Sequence, residues 1–265
     1  MRAFGRFIAI RDRKTNTGPV KAAQLLDEKT SLFPLVSTHQ VVEELKKTGF
    51  ASGFLLPTEV VENLEEFFAS RPCYPDGNRE TPIENVDAAA ATGAVTAYYY
   101  NTMASPDMAR IATDPKILNI CYLYFGSQPY HLGNQAWWSF PLKSSDLQKS
   151  AFAQKFHFDL DGWRFLKFFF YISDVEMGFG EHVFVLESHK TRPMRFQYGL
   201  RRFSDEEVSQ AFSASNIRPV IGSKGAGFVE DTFGVHKGTP PTLGRRLYFE
   251  IEYASSDYGT PNDNL

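Results

Sequence analysis

Residues 164–175 read "RFLKFFFYISDV". Aromatic and β-branched residues dominate the stretch, which suits a pleated, well-covered strand better than a helix. Its longest apolar run, 168–172, has the length of a strand and falls far short of a membrane span. The same texture recurs on both sides. "YHLGNQAWWSF" (130–140) and "QKFHFDL" (154–160) precede it, and "HVFVLES" (182–188), "GAGFVED" (225–231) and "RRLYFEIEYA" (245–254) follow. Short strands separated by Gly, Pro, Asp and Ser predict a sandwich, barrel or jelly roll over residues 126–255.

The part before residue 126 reads differently. "THQVVEELKKT" (38–48) places Val41, Val42 and Leu45 on one helical face, with Ser37 or Thr38 as cap and Gly49 as stop. "FASGFLL" predicts a short strand. "PTEVVENLEEFFAS" (57–70) predicts a second helix, and 105–126 one or two more, broken at Pro115. Residues 71–94 carry Asp76-Gly77 and several prolines and read as a long loop, a candidate lid. In the β-rich half, "SDEEVSQAFSA" predicts a helix whose Ser204 and Glu207 form a capping box. Residues 1–37 read as an arm or early helix, with "KAAQLLDEK" as the helical candidate. The expectation is one domain over 1–265: an arm, a mainly helical support with its loop over 38–125, and a β core.

Composition narrows the function. The chain has 265 residues, 43% of them hydrophobic and 22% charged, with a net charge of −3. That is globular and gives no electrostatic footprint for nucleic acid. Two cysteines, Cys73 and Cys121, cannot build a disulfide framework or a four-cysteine zinc site. The first residues lack a signal-peptide pattern, and no run is long enough for a membrane span. A cytoplasmic location is expected.

The chemistry centres on "HFD", residues 157–159. On a strand, positions i and i+2 share a face, so His157 and Asp159 can converge on one point. Two such ligands and one more histidine make the facial triad of non-haem iron(II). The alternative is a polar pair on an edge strand. His236, in "EDTFGVHKGTPP", could supply the third ligand, and Arg246 offers a planar fork for a carboxylate.

The order of "HFD", "RFLKFFFYISDV", "GEHVFVLESHK" and "GVHKGT…GRRLYFEIEYA" resembles the iron(II)/2-oxoglutarate-dependent dioxygenases. The finer resemblance, which includes "LKKTGFASGFLLPTEVVENL", is to the phytanoyl-CoA dioxygenase family and spans roughly residues 38–255. It implies a double-stranded β-helix of cupin-like, jelly-roll shape, mainly β with flanking helices. It also implies iron(II) on His157, Asp159 and His236, and 2-oxoglutarate whose far carboxylate meets Arg246, with Arg245 as runner-up. Molecular oxygen would then oxidise a C–H bond of a small-molecule substrate, with release of succinate and carbon dioxide. No catalytic residue beyond the metal centre is implied. The carboxylate at 159 favours hydroxylation over halogenation. Gly238 stands where the family often has a small hydroxyl residue, with Thr239 next, and Glu187 replaces a turn glycine. Gln135 and Thr239 are further candidates for the cosubstrate; Trp137, Trp163 and Tyr98 are candidates for the substrate. Lys167, among apolar neighbours, could reach a carboxylate or extend to solvent. His39, His131, His182 and His189 read as structural. A non-catalytic cupin-like binding protein and another metal-dependent enzyme, such as a zinc hydrolase, are the alternatives.

Overall fold

The computed structural model describes residues 25–141, 153–196 and 202–257. Among these described residues, ten strands form two antiparallel sheets. They are β1 (Phe50–Leu55), β2 (Tyr74–Pro75), β3 (Thr96–Tyr99), β4 (Tyr130–Ser139), β5 (Phe165–Tyr171), β6 (His182–Val185), β7 (Ile217–Val220), β8 (Ala226–Glu230), β9 (His236–Gly238) and β10 (Arg246–Ala254). The larger sheet runs β1-β8-β5-β10-β4-β3-β2, and the smaller runs β7-β6-β9. Phe169, Tyr171, Phe228, Tyr248 and Trp137 from the first meet Phe184 and Val220 from the second in one buried cluster. This is the predicted jelly roll, mainly β with flanking helices.

The helices cover the outer face of the larger sheet. They are α1 (Thr38–Thr48), α2 (Thr58–Ala69), α3 (Val86–Ala91), α4 (Pro106–Ala112), α5 (Pro115–Phe125) and, apart from these, α6 (Asp205–Ala211). The largest core cluster joins Val41, Leu45, Leu64, Ile111 and Ile120 of the helices to Phe168, Phe170, Phe249 and Ile251 of the sheet. Each such side chain contributes about 1.5–3 kcal/mol by leaving water. Local signals set the helix ends as the sequence suggests. The Ser37 side chain accepts from Gln40 N, Gly49 closes α1 at φ 82°, and Ser204 and Glu207 form a complete capping box. Gly49 has a second duty, because a Cβ there would fall 2.5 Å from Nδ1 of the buried His189.

Four expectations need correction. Residues 71–94 are not all loop: Cys73 bridges to Ile83, β2 forms, and α3 follows an Asn85 cap. An alanine run behind a good cap is enough to start that helix. "QKFHFDL" is extended but makes no ladder strand. Phe156 bridges to Phe203 and His157 to His236, each singly, and the Asp231–Gly234 turn interrupts the chain that His157 pairs with. β7 was missed, since Arg218 and Pro219 disguise it; it pairs with β6 alone, an edge where proline is tolerated. Of the helical candidate 21–29, residues 21–24 lie outside the described residues, and Glu28–Thr30 forms a single 3₁₀ turn.

Among the described residues, no helix is long and apolar enough to cross a membrane.

Candidate metal centre

His157 and His236 are neighbours across two chain segments. Each backbone N–H donates to the other's carbonyl, at 2.9 and 2.8 Å. The Asp159 N–H donates to Thr232 O at 2.8 Å. Phe158 turns the other way, into a separate apolar cluster, and the Arg192 guanidinium lies between the rings of Phe158 and Phe233, 4.1 and 4.0 Å from their centroids. The alternation of an extended segment thus sends both ligand side chains inward and anchors the residue between them.

The donor atoms of His157, Asp159 and His236 lie within 4.8 Å of one another, and among the described residues this is the group that could hold a metal ion. Its details fit a divalent metal. His157 Nδ1 lies 2.9 Å from Lys155 O, and His236 Nδ1 lies 3.0 Å from Gly234 O. Each Nδ1–H therefore donates to a carbonyl, which leaves both Nε2 lone pairs facing Asp159, 3.7 Å from its oxygens. Burial first, and mutual repulsion second for His157, hold both imidazoles below their ordinary range, hence neutral. Burial alone would raise the Asp159 carboxyl. The Lys167 ammonium, then the two histidines, overcome it and hold that group well below the usual carboxylate range.

The triad borders a cavity of about 400 Å³. The inward faces of β4, β5 and β10 build much of its wall. Residues 246, 248, 250 and 252 of β10 alternate with the core residues 247, 249, 251 and 253. Lys167 stands opposite Glu252 in the β5–β10 register. Its ammonium lies 3.1 Å from both Asp159 and Asp161 and 3.7 Å from Glu250 and Glu252. Burial would lower the Lys167 pKa, but these carboxylates raise it well above the usual value, so it stays charged. Of the two readings of Lys167, the carboxylate one holds.

Arg246 is 2% exposed. It donates to Gly180 O and, at 3.4 Å, to Ser139 Oγ, and its Cζ sits 3.9 Å from the Tyr248 ring centroid. Its Nε is buried with no hydrogen-bond partner among the described residues. A carboxylate suits such a fork. Arg245 points the other way, paired with Asp87 and 4.8 Å over Trp138. A Cβ on Gly238 would come within 3.3 Å of Arg246 Nη2, so glycine leaves the guanidinium room.

Gln135, Trp137 and Tyr98 line the cavity, with Tyr98 stacked on Trp137 at 5.5 Å. Thr239 does not line it; its N–H donates to Glu181 O beside the Arg246 contact at Gly180. Trp163 also stands off the lining, 42% exposed. Sequence reasoning missed Asp161, Glu250 and Glu252. The signal was there: once Arg246 faces inward, positions 250 and 252 must follow. It also undervalued His182, which lies 3.0 Å from Glu230 and stacks on His236 at 13°. Burial pushes Glu230 up to about 8 and His182 down to about 3, so near neutrality the two are uncharged partners rather than an ion pair. Glu187 occupies its turn at φ 66°, a conformation that favours the glycine it replaces.

The fold and triad together define a cupin-like architecture with a His–Asp–His facial site. No family model matches the chain, and no curated protein does. Solved structures do. HygX from Streptomyces hygroscopicus, with nickel and 2-oxoglutarate bound, aligns at 15% identity and a TM-score of 0.59, covering 83% of this chain and 88% of that one. EctD from S. alaskensis aligns at 15% identity and 0.56, covering 83% and 77%. SnoN, a non-haem α-ketoglutarate-dependent epimerase from nogalamycin biosynthesis, aligns at 17% identity and 0.55, covering 82% and 83%. At these identities the shared property is the fold. HygX is solved with nickel and 2-oxoglutarate, and SnoN also with Fe3+ and α-ketoglutarate.

Proposed function

We propose that the protein is an iron(II)- and 2-oxoglutarate-dependent oxygenase that acts as one domain, belongs with the phytanoyl-CoA dioxygenase family and oxidises a C–H bond of a small molecule. The observation that carries this reading is the pairing of the triad with a buried, inward Arg246 that retains an unpartnered Nε. HygX solved with hygromycin B and EctD solved with 5-hydroxyectoine lend support to a small polar substrate. The presence of Asp159 supports oxygen transfer to carbon over halide transfer.

His157, Asp159 and His236 would hold the iron through two imidazole nitrogens and a carboxylate oxygen. Arg246 would take the far carboxylate of 2-oxoglutarate, with Ser139 beside it. When bound, iron and 2-oxoglutarate supply oxygen activation coupled to decarboxylation, which yields succinate and carbon dioxide. The chain itself does the rest. Lys167 holds Asp159 Oδ2, the oxygen that also faces His236, and keeps that group ionised. The carbonyls of Lys155 and Gly234 fix the imidazole tautomers. The buried wall of Trp137, Tyr248 and Phe169 limits water at the reacting carbon.

The test is an anaerobic titration of the metal-free protein with iron(II) and then 2-oxoglutarate. A weak visible charge-transfer band is expected, absent in His157→Ala and needing more 2-oxoglutarate in Arg246→Ala. Iron binding without that band would favour the zinc-enzyme or binding-protein readings and overturn this one.

A further inference from the structure

His182 is 2% exposed and lines the cavity. One ring nitrogen is used: Nε2 lies 3.0 Å from Glu230 Oε2. The other is not. Nδ1 is buried with no hydrogen-bond partner among the described residues. Strand register fixes where this residue stands. In the β6–β9 pairing His182 lies opposite Gly238, two residues beyond the ligand His236. Gly238 lines the cavity too, and a Cβ there would come within 3.3 Å of Arg246 Nη2. Arg246 in turn donates to Gly180 O, two residues before His182. The imidazole thus neighbours both the triad, where its ring stacks on His236, and the guanidinium. Burial, then the Arg246 charge, hold it below its ordinary range, while Asp159 pulls the other way.

Glu230 decides which hydrogen the free nitrogen carries. It is 0% exposed, and burial keeps its proton on near neutrality. That proton has two places. On Oε1 it would meet nothing, since Oε1 has no partner among the described residues and Glu230 does not line the cavity. On Oε2 it meets His182 Nε2. The imidazole proton then sits on Nδ1, and it stays there whether the shared proton lies nearer oxygen or nitrogen. The cavity wall therefore holds an N–H donor without an acceptor, near a guanidinium whose Nε is also unmet. Two unmet donors in one neighbourhood suit the oxygens of a carboxylate.

We propose that His182 is a cosubstrate-binding residue: its Nδ1–H donates to the far carboxylate of 2-oxoglutarate, which it shares with Arg246. The proposal rests on the oxygenase reading above. Glu230 acts through His182, as the positioning residue that fixes the tautomer.

Calorimetric titration of the protein loaded with iron(II), without oxygen, tests this. The two ligands differ only at the far end: 2-oxoglutarate, and 2-oxopentanoate, whose methyl replaces that carboxylate. His182→Phe keeps a ring against His236 and removes both nitrogens. His182→Asn returns an amide N–H near the place of Nδ1. In His182→Phe, 2-oxoglutarate should bind about tenfold more weakly, the scale of a charge-assisted hydrogen bond. Iron(II) and 2-oxopentanoate should bind as in the wild type. His182→Asn should recover most of the loss, and Glu230→Leu, which frees the tautomer, should lose part of the preference for 2-oxoglutarate. Melting temperatures confirm folding, and His182→Leu serves if phenylalanine does not fit. Unchanged 2-oxoglutarate affinity in His182→Phe, an equal loss on both ligands, or no recovery in His182→Asn overturns the proposal. The charge-transfer band, read in the same samples, separates two failures. A wild-type band with any of those results sinks the His182 assignment alone. Bound iron with neither a band nor heat from 2-oxoglutarate sinks the oxygenase reading, and this assignment with it.

Discussion

Along β10, Leu247, Phe249, Ile251 and Tyr253 face the helices, while Arg246, Tyr248, Glu250 and Glu252 take the other face, the last three lining the cavity. β5 repeats the division, with Leu166, Phe168 and Phe170 outward and Lys167, Phe169 and Tyr171 inward. The outer face is almost wholly apolar and close-packed. The inner face is graded, from arginine at one end through aromatic rings to carboxylates and a lysine at the other. One backbone serves both because side chains alternate with a period of two. The outer face supplies the stability that lets the inner face keep buried charge.

The sharpest way to break this comparison is to cut each face separately. Phe168→Ala on the outer face should cost about 3–5 kcal/mol, read as a lower denaturant midpoint, while the remaining folded protein binds iron(II) as before. Next comes Lys167→Met on the inner face. Loss of the ammonium should let the Asp159 carboxyl rise and weaken iron(II) binding roughly 10–100-fold in an equilibrium metal competition, the scale of lost outer-shell partners. Unchanged metal affinity would mean that Lys167 serves packing alone. Arg246→Lys keeps the charge but loses the fork, and should raise the 2-oxoglutarate needed for half-saturation by about tenfold with little change in iron binding.

The smallest effect is one of pH. Glu230 holds its proton in the folded chain up to about pH 8, against 4.5 ordinarily. The folded state then binds the extra proton between those values, so this contribution is present at low pH and fades as pH rises toward 8. His182, lowered to about 3, works in the opposite sense and is finished by about pH 6.5. The melting temperature of the metal-free protein should therefore fall between pH 6.5 and 8, and Glu230→Gln should flatten that fall. A flat wild-type profile would show that the pair ionises in the ordinary range.

Much of this was legible in the residues. Ser37 and Gly49 bounded α1 because caps act locally. "RFLKFFFYISDV" declared a covered strand, and its one lysine was the anomaly worth following. His157 and Asp159 could be nominated by their spacing, and His236 by the family resemblance. What could not be read is whatever depends on register between distant strands. Lys167 meets Glu252 only because β5 and β10 align as they do. β7 escaped because Pro219 weakens a strand signal that an edge position tolerates, and α3 because six residues behind Asn85 are too few for a clear period.

The mutual hydrogen bonds of His157 and His236 carry one more consequence. Two of the three donors are also the residues that fasten their two segments together. A metal held there would act as a clasp on a loop of roughly eighty residues, and ions that bind the folded form alone stabilise it in proportion to the logarithm of their concentration. Protease resistance should then rise with iron supply, so that the lifetime of the protein gauges the metal around it.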